Sequence, residues 1–345
     1  MPGRENSFLV FLAAFLVPLS SGAAVRQLSP SERVCLSAKL GELSASVVRS
    51  NQRDAFALMD PHSGRILWLK NRKTLAGRSF QPGSIFKVIT TYAARSGLVD
   101  PSETYTCPGG ETTIGPPGTE VDCWLRRGHG PVNLSKALAL SCNLYFARIG
   151  RRIGVTPLLR AAGEFGLGRV TGSDLGGEVS GSLPSWPPAG LAARMATGQA
   201  DGLRVTPLQV LSAVAAVANG GVLYSPRMAD PGQGPTPVRG ELKDTAALRF
   251  IRDALEQASI YGTGQAQRLY DLHLAGKTGT AAWGNVNWRT HAWYMGFAPD
   301  RRPLLSLVVL VHDGTGSKEA AALAKKIIAA AYQAMTACGV PLRKP

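Results

Sequence analysis

Apolar and polar positions change period several times along this chain, and each change marks an element. Ser29-Pro30-Ser31-Glu32 has a capping hydroxyl, a proline at the first helical position and an acid at the third, which reads as a helix start. Leu36, Leu40, Leu43 and Val47 then recur at helical spacing, so the pattern predicts a helix to about Ser50. Ala55 to Met59 and Arg65 to Leu69 are short apolar runs around Asp60-Pro61-His62-Ser63-Gly64, which predicts a hairpin. Both runs are apolar on both faces, so their sheet should be covered on two sides.

Helical periodicity returns over 84–96, with Gly97 as the stop. Residues 100–131 read as loop, 133–140 and 144–165 as helix, and 171–190 as a second loop-rich span. Thr206-Pro207 to Gly221 is a helix with proline near its start and glycine past its end, and Glu241 to Ala258 is another. Apolar segments at 268–275, 291–298 and 303–312 predict three consecutive antiparallel strands, and 318–337 a closing helix rich in alanine. The sum is one α/β domain of five strands, with helices at both ends and an inserted helical middle.

The N-terminus modifies this picture. Phe8 to Leu19 is an apolar run too short to span a bilayer comfortably, preceded by a polar stretch with Arg4 and followed by Ser20-Ser21-Gly22-Ala23-Ala24. That is the plan of a secretory signal peptide over residues 1–24, with an uncleaved anchor or a buried strand as the other readings. Residues 25–53 then form an N-terminal helical segment and 54–345 the main domain. An exported chain tolerates disulfides. Cys107 and Cys123 flank a Gly/Pro-rich excursion and are expected to staple it, while Cys35 and Cys338, near the two ends, can pair. Cys142 is left over, expected reduced and buried. The chain has no Cys-x-x-Cys and its five histidines are scattered, so no metal site is expected.

Apolar residues make up 45% and charged residues 18%, enough to bury a sizeable core, which excludes a disordered chain. No run of 18 apolar residues occurs, which excludes a polytopic membrane protein. The net charge of +15 suits a polyanionic partner such as nucleic acid, anionic lipid or a cell-wall polymer.

Three short motifs carry candidate chemistry. In Gln81-Pro82-Gly83-Ser84-Ile85-Phe86-Lys87 a turn delivers Ser84 to the start of a helix, and Lys87, three residues on, shares its face. A lysine that is partly desolvated there can take the serine proton. Ser141-Cys142-Asn143 adds a second hydroxyl for proton relay and an amide for a substrate or the lysine. Gly276-Lys277-Thr278-Gly279-Thr280 lies at the end of a strand. There Gly279 allows close approach of a ligand, Lys277 supplies charge, and Thr278 and Thr280 supply hydroxyls for a carboxylate. An edge strand can also pair with an extended peptide. Each motif alone has a bland reading as a helix start, a loop or a strand end with a solvated lysine.

In this order the three resemble the Ser-x-x-Lys, Ser-x-Asn and Lys-Thr-Gly signature of penicillin-binding proteins and serine β-lactamases, with Ser-Cys-Asn in the middle here. The resemblance extends to Cys123-Trp124, Gly128-His129-Gly130, Ala137 to Phe146, Gly198-Gln199, Val205 to Gln209, Ala218 to Gly221 and His291 to Pro299, covering about residues 54–335. On these motifs the chain is similar to elongation-type class B members of the penicillin-binding protein transpeptidase family. The family fold implied is a five-stranded antiparallel sheet flanked by helices with an all-helical subdomain. Ser84 becomes the acylated nucleophile, Lys87 its base, Ser141 a relay and Asn143 a substrate-orienting group. The resemblance also implies that Lys277, Thr278, Gly279 and Thr280 bind and polarise the substrate and that the N–H groups of Ser84 and Thr280 form the oxyanion hole.

The resemblance implies a D,D-transpeptidase that cross-links peptidoglycan stem peptides without a cofactor and is trapped by β-lactams. It also implies cell-wall synthesis proteins as partners, no nucleic acid, and a place in the periplasm or on the outer face of the cytoplasmic membrane. The alternatives are a D,D-carboxypeptidase or class D-like β-lactamase, with water as acceptor, or a non-catalytic binder of β-lactams or muropeptides. Departures from the family pattern are the short stretch before the first strand, which leaves no room for an N-terminal pedestal, Ala200 after Gly198-Gln199, and Ala282-Trp283 after Thr280-Ala281. Trp186 and Trp283 can line the cleft or pack locally, and His129 is expected to bridge a loop.

Overall fold

The computed structural model describes residues 26–47, 52–113, 120–185, 190–228, 236–283 and 286–342. The signal-peptide segment, Trp186 and the side chain of Trp283 lie outside the described residues. The first helix, α1 (Pro30–Val47), opens with a reciprocal cap: Ser29 Oγ accepts from Glu32 N while Ser29 N donates to Glu32 Oε2. Strands β1 (Ala55–Met59) and β2 (Arg65–Lys70) form the expected hairpin. Ser84 lies in a 3-10 turn over Gly83–Phe86 that runs into helix α2 (Lys87–Arg95). Helix α3 (Asn143–Ile153) starts within the second motif, and Gly154, at φ 81°, divides the stretch expected as one helix over 144–165. Helix α4 (Pro207–Asn219) carries a complete capping box between Thr206 and Gln209.

After β3 (Arg227–Met228), helix α5 (Thr245–Ile260) leads to strands β4 (Ala275–Trp283), β5 (Val286–Ala298) and β6 (Leu305–His312), and α6 (Ala321–Ala337) closes the chain. The sheet order is β4-β5-β6-β1-β2-β3. Five strands are antiparallel, as expected. The sixth, β3, is a two-residue parallel addition that makes the sheet mixed. It is held by Arg227 N to Gly64 O and by the Arg65 guanidinium on Met228 O, contacts with no hydrophobic period to announce them.

Alternate residues of each strand feed two cores. Ala55, Ala57, Met59, Trp293, Met295, Phe297, Val308 and Leu310 face the helical middle of the chain, including α2, α3, α4 and α5. Phe56, Leu58, Ala292, Tyr294, Leu307 and Val309 face α1 and α6. Burial on both faces is why these strands read as continuous apolar runs. The Cys35–Cys338 disulfide ties α1 to the end of α6, across 303 residues of sequence. Among the described residues no helix is long and apolar enough to cross a membrane.

Two expected elements are corrected. The strand expected at 268–275 is instead a 3-10 turn over Leu269–Leu272, because Arg268 and His273 take positive φ (53° and 49°) and break extension. The strand itself starts at Ala275, so the Lys-Thr-Gly motif sits within it rather than at its end. The loop expected over 100–131 contains two short ladders, Tyr105–Cys107 with Gly130–Val132 and Gly110–Thr113 with Glu120–Cys123.

Because the disulfide closes almost the whole chain, Cys35→Ser/Cys338→Ser should lower stability by roughly 2–5 kcal/mol. The urea midpoint of the double variant against the parent, without reductant, measures this; an unchanged midpoint refutes it.

Candidate active site

All three motifs meet at the edge strand β4. The turn carrying Ser84 packs on β4 so tightly that a Cβ on Gly83 (φ 55°) would lie 2.5 Å from the Thr280 carbonyl oxygen. A Cβ on Gly198 (φ 79°) would come within 1.9 Å of the Gly83 carbonyl oxygen, whose residue also donates its N–H to Gly198 O at 3.1 Å. Trp293 Nε1 donates to Gln81 O at 3.0 Å, and Gln81 Nε2 donates to the carbonyl of buried Ala200 at 3.4 Å. The Gly198-Gln199 segment thus braces the nucleophile turn. Gly279 has a related duty: a Cβ there would meet Ile85 Cγ2 at 2.9 Å, and Gly316 is pressed onto its backbone. The close approach that Gly279 permits here is that of the protein's own Ile85 and Gly316.

Ser84 is half-buried, and its hydroxyl has no hydrogen-bond partner among the described residues. In a 3-10 turn residues three apart lie one above the other, so Ser84 and Lys87 share a face by geometry. Lys87 is fully buried. Its Nζ reaches the carbonyl oxygen of Ser141 at 2.8 Å, Ser141 Oγ at 3.2 Å and Asn143 Oδ1 at 2.5 Å. The Phe146 ring lies 5.5 Å beneath the amine. Asn143 is oriented in turn by Nδ2 donating to Asp122 O at 2.7 Å. Ser141 takes the left-handed conformation (φ 57°), unusual for a non-glycine residue, which aims both its oxygens at the lysine.

Burial lowers the Lys87 pKa to about 7, opposed by the nearby Cys142 and Cys123 thiols. A neutral lysine has two N–H donors and one lone pair. With the Ser141 carbonyl and Asn143 Oδ1 taking the donors, the lone pair is free to accept from a hydroxyl. Lys277, also fully buried, is held well below its ordinary value by burial and by repulsion from Lys87. Its Nζ donates to Thr278 O at 2.9 Å.

Thr280 Oγ1 accepts from Gly316 N at 3.0 Å, which leaves its proton free to donate to an anion. Thr278 Oγ1 donates to Thr263 Oγ1 at 2.6 Å. Thr263 was not a candidate from sequence. It arrives because a Gly262 Cβ would clash with Ala139 O at 2.2 Å and because Thr263 N bonds that same carbonyl at 3.2 Å, docking the turn just before Ser141.

The expected Cys107–Cys123 staple is not formed. Both cysteines are free, with sulfurs 3.8 Å apart. They face Cys142 and His129, and the four donor atoms lie within 4.8 Å of one another. His129 bridges the loop, as expected, through Nδ1 at 3.5 Å from Cys107 Sγ and 3.4 Å from Cys123 Sγ. Chain folding thus brings together four residues able to hold a metal ion, where the sequence pattern predicted no such site.

The family described as "Penicillin binding protein transpeptidase domain" matches residues 55–329. Stage V sporulation protein D of Bacillus subtilis is 32% identical over 263 residues, spanning 72% of this chain and 40% of that protein. Peptidoglycan D,D-transpeptidase PbpA of Mycobacterium tuberculosis is 31% identical over 280 residues, spanning 74% of this chain and 55% of that protein. The chain therefore covers about half the length of these curated relatives. Among solved structures, the complex of penicillin-binding protein PBP2 with MreC from Helicobacter pylori superposes with a TM-score of 0.74 at 25% identity, over 86% of this chain and 62% of that one. The imipenem acyl-enzyme of penicillin-binding protein A from M. tuberculosis superposes at 0.72, with 22% identity, over 89% of this chain and 78% of that one, and shares the fold.

If Lys87 is the base, covalent labelling by a β-lactam should accelerate as pH rises through about 7, where the amine loses its proton, and level off above. Well below that point the rate should fall about tenfold per pH unit. Stopped-flow labelling across pH measures the profile, and a flat one refutes the assignment. Thr263→Val, which removes the partner of Thr278, should slow labelling roughly fivefold, the worth of about 1 kcal/mol for one hydrogen bond. An unchanged rate removes Thr263 from the site.

Proposed function

The chain belongs to the penicillin-binding protein transpeptidase family, and we propose that its domain is a peptidoglycan D,D-transpeptidase acting through an acyl-enzyme on Ser84. The observation that carries this reading is the buried Lys87 amine, bonded to Ser141 and Asn143 and one 3-10 turn from a serine hydroxyl with no partner among the described residues.

In the proposed reaction Ser84 Oγ attacks the carbonyl of the penultimate D-alanine of a donor stem and passes its proton to neutral Lys87. The oxyanion meets the N–H groups of Ser84 and Thr280, a pairing supported by the close packing of Gly83 on Thr280. Ser141, touching the lysine through its hydroxyl, hands a proton to the departing D-alanine. Thr280, with its free proton, and the Lys277 amine hold the terminal carboxylate, and Thr278 lies beside them with its own proton on Thr263. An amine of a neighbouring stem then attacks the ester, and the proton follows the reverse route. No cofactor enters these steps. Stem peptides are the substrate and β-lactams the inhibitors. Action outside the cytoplasm is consistent with the segment read as a signal peptide and with the substrate. Cell-wall synthesis proteins are the partner class, as the printed title of the H. pylori complex illustrates for that protein.

Fluorescent penicillin should label the purified chain once, on Ser84, and persist; Ser84→Ala should abolish the label. With a pentapeptide stem and an acceptor amine, mass spectrometry should show cross-linked dimer and free D-alanine. Labelling that survives Ser84→Ala defeats the site, fast turnover of penicillin makes the chain a β-lactamase, and tetrapeptide without dimer makes it a carboxypeptidase.

A further inference from the structure

Of the two threonines in the third motif, Thr280 is the one with a proton left for a ligand, since Thr278 gives its own to Thr263. A threonine hydroxyl turns about its C–O bond and can donate or accept, so by itself it does not choose between an anion and a neutral group. Here the choice is made by Gly316. Its N–H points at Thr280 Oγ1 from 3.0 Å, so the hydroxyl proton must turn away from it. Gly316 is fully buried on the edge strand and can sit there because it has no side chain. A Cβ would lie 2.4 Å from Gly279 O, 2.6 Å from Gly279 N and 2.8 Å from Trp293 O.

Gly316 hangs in a bridge between β6 and α6 that is pinned at both ends. On the β5 side, Asp313 N donates to Thr290 O at 2.8 Å, Gly314 N donates to Thr290 Oγ1 at 3.2 Å, and Thr290 Oγ1 donates to Gly314 O. Asp313 takes positive φ (61°) to make the bend. On the helix side, Gly316–Ala320 is wound as a π turn, wider than the α-helix that follows. The N–H groups of Lys318, Glu319 and Ala320 converge on Thr315 O at 3.3, 3.1 and 3.4 Å. Single π turns of this kind are rare and concentrate at functional sites. Glu319 closes the turn. Its Oε2 accepts from Thr315 N at 2.7 Å and from Thr315 Oγ1 at 3.2 Å, and a Cβ on Gly314 would meet its Cγ at 3.0 Å. Thr315 and Glu319 are both exposed, so charge-assisted hydrogen bonds hold this buckle rather than burial.

We propose that Glu319, through Thr315 and Gly316, aims the Thr280 proton into the site and so sets its preference for ligands that carry a carboxylate. Glu319 and Gly316 are positioning residues that act through Thr280. The proposal deepens the acyl-enzyme reading and rests on it for the identity of the ligand. Without the Glu319 carboxylate, Thr315 N–H loses its acceptor, and the π turn is free to rewind toward the α-helix it leads into. That rewinding draws Gly316 N away from Thr280. A hydroxyl released from Gly316 is no longer oriented in advance, and the anion must orient it on arrival. A neutral ester of the same ligand draws less from that donor, because a hydrogen bond to an ionised acceptor is roughly twice as strong as one between neutral groups. Loss of the buckle therefore falls on the carboxylate and spares the ester.

Benzylpenicillin and its methyl ester differ in the charge of one group, and the full chain can be tested with both, reading acylation rates by mass spectrometry. The parent should take the acid faster than the ester. Glu319→Ala should slow the acid about tenfold, the effect of one hydrogen bond to a charged group, and leave the ester within about twofold. Glu319→Gln, whose amide oxygen still accepts from Thr315, should restore most of the preference. Thr280→Val should lose the same preference, and Glu319→Ala added to it should cause no further loss. Because Glu319 is exposed, its replacement leaves both cores intact. Equal slowing of acid and ester makes the role of Glu319 merely structural and overturns the proposal. So does an unchanged rate with both compounds, or an additive loss in the double variant. A parent that neither compound acylates defeats the acyl-enzyme reading by itself. Calorimetric binding of acid and ester to the parent and to Glu319→Ala then decides the role of Glu319 separately. An unchanged preference for the acid, or none in the parent, overturns it.

Discussion

The buried amine of Lys87 sets the terms for everything around it. A charged ammonium taken out of water is costly, and the interior must answer that cost with acceptors or with loss of the proton. Here it does both. The Ser141 carbonyl and the Asn143 amide oxygen take its hydrogens, while burial brings its pKa to about 7, within reach of neutrality. The same acceptors are the second motif, so the interaction that makes the lysine tolerable in the core also assembles the site. Ser141 accepts a left-handed backbone to present its oxygens, and Asn143 is held by Asp122 from behind.

The rest of the fold serves that arrangement by close backbone approach. The nucleophile turn is clamped between Gly198 and β4, with Gly83 and Gly279 at the contacts where any side chain would collide. Burial of β5 and β6 on both faces gives this clamp a rigid base, since Trp293, Met295 and Phe297 pack under the helical middle and Tyr294 packs toward α1 and α6. The Trp293 indole adds a direct tie to Gln81 in the turn itself. Beneath the second motif, Cys107, Cys123, Cys142 and His129 gather in a loop that Val121 and Val132 anchor to the core but no long ladder secures. Its two ladders are only three and four residues per strand.

Much of this was legible in the amino acids. The apolar runs at 55–59, 65–69 and 303–312, the capped start at Ser29 and the proline after Thr206 are local signals, and each produced its element. So did the three motifs, whose residues Ser84, Lys87, Ser141, Asn143, Lys277, Thr278 and Thr280 gather around one edge strand. The strand expected at 268–275 failed because Leu269 and Leu274 are apolar for a different reason, packing as turns under α6 rather than alternating in a sheet. Gly276, Lys277 and Gly279 are poor strand formers, and only pairing with β5 makes them one.

Chemistry carried by neighbours in sequence was therefore determined by the sequence itself. A serine and a lysine three residues apart in a turn share a face whatever surrounds them, and strands apolar on both faces demand two cores. Contacts between distant segments were decided only by the tertiary structure. No local pattern relates Thr263 to Thr278, Gly198 to Gly83, or Arg65 to Met228. The cysteines show the difference most clearly. Sequence proximity favoured a Cys107–Cys123 staple with Cys142 left over, whereas folding sets all three sulfurs and His129 around one point. The physical reason is that ligand and contact geometry depend on distances in space. Short-range periodicity reports those distances only within an element.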